Sequence, residues 1–140
     1  MKKLFCLFLL SFCLVGCSFT FNINLNKDDY SYLVHERYSS GNYDYTKRGY
    51  YVDTLNQPDA PYYYIITMGE KNTGGYSIEV ENVDIDSKGN AIITVKENSP
   101  SPEANVTMAF TYPAVCVEVN KAFTSVKIVN TTGQEFKLLD

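Results

Sequence analysis

The stretch Tyr62-Tyr63-Tyr64-Ile65-Ile66-Thr67-Met68 holds seven aromatic, β-branched and long apolar residues without a charge. A run this short, made of side chains that suit a pleated surface, predicts a buried strand. Downstream, Tyr76 to Ile85 reads as a long strand with a fault in its rhythm. Ile78 and Val80 share one parity, whereas Val83 and Ile85 fall on the other. One extra residue near Glu81-Asn82 would restore a common face, which predicts a β-bulge there. Asp86-Ser87-Lys88-Gly89-Asn90 then reads as a hairpin turn with Gly89 at positive φ. Ala91 to Glu97 returns with Ile93 and Val95 inward.

The same signal continues outward. Asn98 to Glu103, with Pro100 and Pro102, reads as a loop. Val106, Met108, Phe110 and Tyr112 alternate as a strand would. Pro113 interrupts, and Val115, Val117 and Val119 resume on the other parity. Two last strands, Ser125 to Asn130 and Glu135 to Leu138, flank a Thr132-Gly133 turn. Upstream, Tyr50 to Thr54 reads as a strand, and residues 56–61 and Ser39-Ser40-Gly41-Asn42 as turns. Asp28 or Asp29 would cap a short helix through Tyr38, although its tyrosines fit a strand as well. Many short strands with frequent turn signals predict an all-β fold. The expected form is a small antiparallel β-sandwich or open barrel, with an immunoglobulin-like arrangement among the options.

The N-terminus carries a different message. Met1-Lys2-Lys3 precedes an apolar run from Leu4 to Val15 that only Ser11 breaks. At ~1.5 Å per helical residue the run spans about 18 Å, short of a hydrocarbon core of about 30 Å. A basic start and a short apolar run are the layout of a secretory signal. The run ends Leu14-Val15-Gly16-Cys17, which resembles the bacterial lipobox. That resemblance implies a diacylglyceryl thioether on Cys17, cleavage before it, and anchoring by acyl chains such as palmitate. Two chains give stable membrane attachment where one is marginal. Residues 1–16 are then a cleaved signal helix, 17–28 a lipidated cysteine and flexible tether, and 29–140 a single β domain. The expected location is the cell membrane, facing outside the cytoplasm.

Composition narrows the function. Removing residues 1–16, which carry Lys2 and Lys3 and no acidic residue, leaves 124 residues and takes the formal charge from −4 to −6. An acidic chain argues against nucleic acid as a partner. Cys6 and Cys13 leave with the signal and Cys17 takes lipid. Only Cys116 then remains, and its Val115-Cys116-Val117 setting predicts a buried, unreactive thiol. Ten of the twelve tyrosines fall between Tyr30 and Tyr64. They read as sheet-surface packing, or as an aromatic contact surface for sugar or protein.

No catalytic, metal or cofactor motif is present: no HExxH, CxxC, GxSxG or P-loop. His35 is the sole histidine, so a serine or cysteine nucleophile would have to use it. Asp84, Asp86 and Asn90 do not meet calcium-loop spacing and read as a polar hairpin. Glu79 and Glu81 read as a solvated face. The expectation is a chain that is not an enzyme.

The segment Gly69-Glu70-Lys71-Asn72-Thr73-Gly74-Gly75-Tyr76-Ser77-Ile78 stands out for three glycines in seven residues. It reads either as a tight connection or as a rigid binding loop at the end of a sandwich. It resembles the signature of the PrcB C-terminal domain. In the expected order follow Val80 to Ile85, Ile93-Thr94-Val95-Lys96-Glu97, Ser99-Pro100, Phe110-Thr111-Tyr112-Pro113 and Val115 to Val119. The resemblance covers residues 62–120, and Asn72 departs from the common pattern. It implies a non-catalytic module associated with a protease complex at the cell surface. The implied contact residues are Gly69, Glu70, Lys71, Thr73, Gly74, Gly75 and Tyr76, with Tyr112 and Pro113. Thr73-Gly74-Gly75-Tyr76 is also similar, with one extra glycine, to the Thr-Gly-Tyr loop of chagasin-type cysteine-protease inhibitors, which are immunoglobulin-like sandwiches.

Three functions follow in order. The first is a surface lipoprotein that binds or stabilises a partner protein, an extracytoplasmic protease foremost. The second is an inhibitor acting through the Gly69–Tyr76 loop, and the third a cell-wall or glycan binder.

Overall fold

A computed structural model describes residues 30–57 and 61–140. The expected signal, Cys17 and tether lie outside the described residues. The elements are β1 (Tyr32–His35), β2 (Arg48–Asp53), β3 (Tyr62–Met68), β4 (Ser77–Ile85), β5 (Asn90–Asn98), β6 (Ala114–Val119), β7 (Ser125–Asn130) and β8 (Glu135–Phe136). They form two four-stranded sheets, ordered β1-β6-β3-β2 and β4-β5-β7-β8. The expected all-β sandwich is the observed fold.

Inward residues of both sheets build one core. Ile66, Ile93, Val95, Val117, Val119 and Ile128 are completely buried in it. Burying a side chain of this size contributes about 1.5–3 kcal/mol. The anticipated bulge lies where β4 shifts register between Val80 and Asn82, which brings Val83 back to the core face beside Ile78. The hairpin after it closes with Gly89 at φ +80°.

The run at β3 lacks alternation because both of its faces are covered. Tyr64, Ile66 and Met68 face the core. Ile65 instead joins Tyr51 and Cys116 in a second cluster, capped by Tyr38, Tyr43, Tyr45, Tyr63 and Leu139. The Tyr-rich segment before β2 folds over the outer face of the first sheet. Tyr38 and Tyr63 ring centroids lie 4.9 Å apart, as do those of Tyr43 and Tyr51. Tyr51 donates to the Asp44 carbonyl and Tyr38 to the Asp53 carboxylate at 2.6 Å. These tyrosines act as packing, the first of their two readings.

Three expectations are corrected. No helix runs to Tyr38: Tyr32-Leu33-Val34-His35 is β1, paired antiparallel with β6 from Tyr32 opposite Val119 to His35 opposite Cys116. The tyrosines and Val34 favour the pleat, and β6 offers an edge that local helix capping cannot match. The sandwich is not purely antiparallel, because β5 and β7 run parallel. Between them β6 makes the return stroke in the opposite sheet, so the chain re-enters the second sheet in the direction of β5. Residues 106–112 are not a strand despite their alternation, apart from one isolated bridge at Thr111.

The sheets are joined along one side. Tyr50 accepts from Leu139 N and donates to the Lys137 carbonyl. Arg48 on β2 grips Glu97 on β5. On the opposite side β1 and β4 are the outer strands, and an open groove runs between them.

Candidate functional site

Three chain segments meet at one end of the sandwich. Gly69 to Tyr76 leaves β3 for β4, residues 99–113 lead from β5 to β6, and Thr46 belongs to the segment entering β2. Gly69 is buried at φ +76°, and a Cβ there would meet Arg48 N at 3.0 Å and the Thr46 carbonyl at 3.1 Å. Its amide donates to the Thr67 hydroxyl at 3.0 Å, while Glu70 N donates to the Thr46 carbonyl at 3.1 Å.

The loop then lies along the arm formed by residues 104–113. Lys71 N donates to the Thr111 carbonyl at 2.8 Å, and Thr111 N returns the bond at 2.9 Å. Gly74 N donates to the Thr107 carbonyl at 2.9 Å. The Thr111 hydroxyl donates to the Thr73 carbonyl at 2.7 Å, and the Tyr112 hydroxyl to the Glu70 carboxylate at 3.0 Å. That bond to a carboxylate raises the Tyr112 hydroxyl pKa. The Pro113 carbonyl accepts from Met68 N, locking the arm where β6 begins. Gly75, at φ +85°, lies so close to Pro100 and Val106 that a Cβ would stand 2.8 and 2.9 Å from them. Every backbone bond of this kind removes freedom from a segment with no ladder of its own.

All nine residues singled out in the loop and arm thus gather in one place, although their roles divide. Gly69, Thr73, Gly75 and Pro113 brace the structure. Tyr76 is half-buried, packs against the core and faces the Lys71 ammonium at 5.6 Å from its ring centroid. Glu70 and Tyr112 stay exposed. Sequence reading missed the most exposed apolar groups. Met108 is 84 % and Phe110 62 % exposed, beside Tyr112 at 45 %. Adjacent large apolar side chains presented on a braced loop are unusual on a surface that has no partner. The flanking Pro102 and Pro113, with only Thr and Ala between the apolar positions, were the available signal that this alternation belongs to an arm.

The sole histidine and Cys116, the one cysteine among the described residues, come together without forming a reactive pair. His35 stands opposite Cys116 in the β1–β6 pairing, yet its Nε2 contacts the Glu118 carboxylate at 2.5 Å. Cys116 is fully buried, and burial first, then the nearby carboxylates of Glu118 and Asp53, push its pKa up to about 12. A thiol held protonated is a poor nucleophile. Asp86 accepts from Lys88 N, Asn90 N and the Asn90 amide, as a polar hairpin requires. No group of three or more metal-ligating side chains occurs among the described residues.

Residues 62–120, 59 of the 140 in the chain, match the model of the PrcB C-terminal family. The resemblance read from the loop signature is therefore borne out for this segment. The match opens with the first residue of β3 and closes just after β6, so it takes in β3 to β6, the loop and the whole arm. β1, β2, β7 and β8 lie outside it and complete the two sheets. No curated protein and no solved structure gives a match to the chain.

Proposed function

We propose that the chain is a non-catalytic surface lipoprotein, anchored through Cys17 outside the cytoplasm, whose loop-and-arm end binds a partner protein. An extracytoplasmic protease is the partner class to which the PrcB C-terminal match points. One observation carries the reading: Met108 and Phe110 stand largely in solvent on an arm that the Gly69–Tyr76 loop holds by five hydrogen bonds. Rigid apolar anchors surrounded by polar groups are what protein interfaces use, because little entropy is lost when they dock. Glu70 and Lys71 at the foot of the arm supply a polar rim.

The test is site-specific photo-crosslinking in intact cells, with the crosslinker at position 110 and, as a control, at Ser87 in the opposite hairpin. A single surface or secreted protein captured from position 110 alone, and lost with Met108→Ser, is the expected result. Equal capture from both positions, or none from 110, removes the arm from the function. Inhibition through the loop gains no support from Tyr76, which turns toward the core. A full complement of protease activity in the presence of excess protein would eliminate that alternative. Glycan binding through the tyrosines loses its basis where those rings are spent on covering Ile65 and Cys116.

A further inference from the structure

The groove on the open side of the sandwich has a volume of about 1130 Å³, above the ~300–1,000 Å³ of a small-ligand cleft. Val34 and Val115 line one wall, and Ile78 and Val80 the other. β4 pairs with β5 on one side only, so Ser77 to Val80 present an outer edge with no strand of the described residues beside it. In an antiparallel pair, alternate residues turn N–H and C=O away from the partner. This edge therefore offers backbone donors and acceptors next to an apolar floor. The register shift between Val80 and Asn82 ends the straight part of the edge.

Charge decides what such an edge accepts. Ser77–Ile85 carries Glu79, Glu81 and Asp84 and no lysine or arginine, and all three carboxylates are exposed. Glu36 adds a fourth from the lining of the groove. Arg37 also lines it, and Lys96 stands opposite Glu79 on β5. Glu79 itself accepts from the Asn98 amide at 2.6 Å, and His35 is engaged by Glu118. Four carboxylates against two cations leave the edge acidic. A second copy joined edge to edge through β4 would set these carboxylates against their own kind, which is unfavourable on facing strands. A strand with lysine or arginine on its outward parity meets the opposite charge, and apolar residues on its inward parity meet Ile78 and Val80.

We propose that the groove takes an extended segment of a partner protein, alternately apolar and basic, as a strand added to Ser77–Val80. Its apolar side chains pack on Val34, Val115, Ile78 and Val80, and its basic ones lie toward Glu79 and Glu81. Main-chain bonds supply affinity and the alternation supplies selectivity. The site adjoins the arm at Tyr112 and Pro113 but includes neither Met108 nor Phe110, so it goes beyond the loop-and-arm reading.

The test uses the chain from residue 17 onward with Cys17→Ser, and a capped eight-residue peptide of alternating valine and lysine. Binding is read by fluorescence anisotropy of the labelled peptide. The site is read by amide exchange over residues 77–80, with β7 as reference. Saturable binding that slows exchange at 77–80 about tenfold and leaves β7 unchanged is the expected result. A peptide of four valines followed by four lysines should bind about tenfold more weakly, because its charges no longer fall on one parity. The double variant Glu79→Lys, Glu81→Lys should lose about tenfold for the valine–lysine peptide and gain binding of a valine–glutamate one. No binding, equal binding of block and alternating peptides, or protection outside β4 would overturn the proposal. So would exchange at 77–80 already as slow as in β7 before peptide is added, because the edge is then held by the chain's own N-terminal residues or by a second copy. Capture from position 110 reads the arm and this titration reads the β4 edge, so either can fail alone.

Discussion

Lys71 and Thr111 exchange both of their backbone hydrogen bonds, at 2.8 and 2.9 Å, although neither belongs to a regular strand. This single antiparallel pair ties the Gly-rich loop to the arm that carries Met108 and Phe110. The loop is therefore the brace of that arm. Its glycines serve that purpose unequally, and substitution can tell them apart.

Gly75→Ala places a Cβ 2.8 Å from Pro100 and 2.9 Å from Val106, at φ +85°. The left-handed conformation alone costs an L residue about 1–2 kcal/mol. A total loss near 2 kcal/mol or above is expected in chemical denaturation. Gly74→Ala meets nothing closer than 3.5 Å and has no positive φ, so its effect should stay within about 0.5 kcal/mol. Equal effects from the two substitutions would contradict the brace.

Phe110→Ser and Met108→Ser remove side chains that are 62 % and 84 % exposed. Surface changes of this sort shift stability by about 0.5 kcal/mol or less. Loss of a hot-spot anchor weakens binding by about 2 kcal/mol or more, some thirtyfold. Unfolding curves that superimpose on wild type, together with lost partner capture, are the expected pair of results.

The Cys116 thiol, with its pKa pushed up to about 12, should resist alkylation in the native protein at pH 8 and react once the chain is unfolded. Peptide-level mass mapping after brief iodoacetamide exposure reads this directly. Rapid native labelling would mean that the tyrosine cover over the outer face of the first sheet opens readily.

The strands from β3 to β7 were legible because their apolar residues keep a period that burial enforces. The bulge showed itself as a change of parity between Val80 and Val83, and the hairpin through Gly89. Two failures have physical causes. Val106 to Tyr112 alternates, but its large side chains face solvent and its bonds go to the loop. Period alone cannot distinguish a strand that pairs in a sheet from a ribbon that braces a loop. The parallel β5–β7 pair was hidden because it depends on which sheet takes β6, a long-range choice that no local pattern records. At the candidate site, the loop residues are visible as a motif, whereas Met108 and Phe110 read only as positions in an alternating strand and stand exposed on the arm.

The two sheets also share a charged clasp whose pH dependence can be worked out. Arg48 donates to both Glu97 oxygens, at 3.1 and 2.9 Å, and its guanidinium lies 3.8 Å from the centroid of the Phe136 ring. Asn130 adds a third bond to Glu97 at 2.8 Å. Burial opposes the charge on Glu97, but the Arg48 and Asn130 hydrogen bonds and the Arg48 charge outweigh it and lower the carboxyl pKa below its usual 4.5. A carboxyl depressed in the folded state binds fewer protons there than in the unfolded chain, so stability rises with pH through this window. The clasp contributes fully above about pH 5 and is lost as the pH falls through the folded pKa of Glu97. Glu97→Gln should flatten this acid limb of the stability profile. Arg48→Ala leaves a mostly buried carboxylate without its cation and should cost about 2–3 kcal/mol at pH 7. As the pH falls through the folded pKa of Glu97, the gap between Arg48→Ala and wild type should narrow, because protonated Glu97 no longer needs the guanidinium. A gap that stays constant from pH 7 to pH 3 in urea titrations would show that Arg48 acts through its packing on Phe136 rather than through its charge.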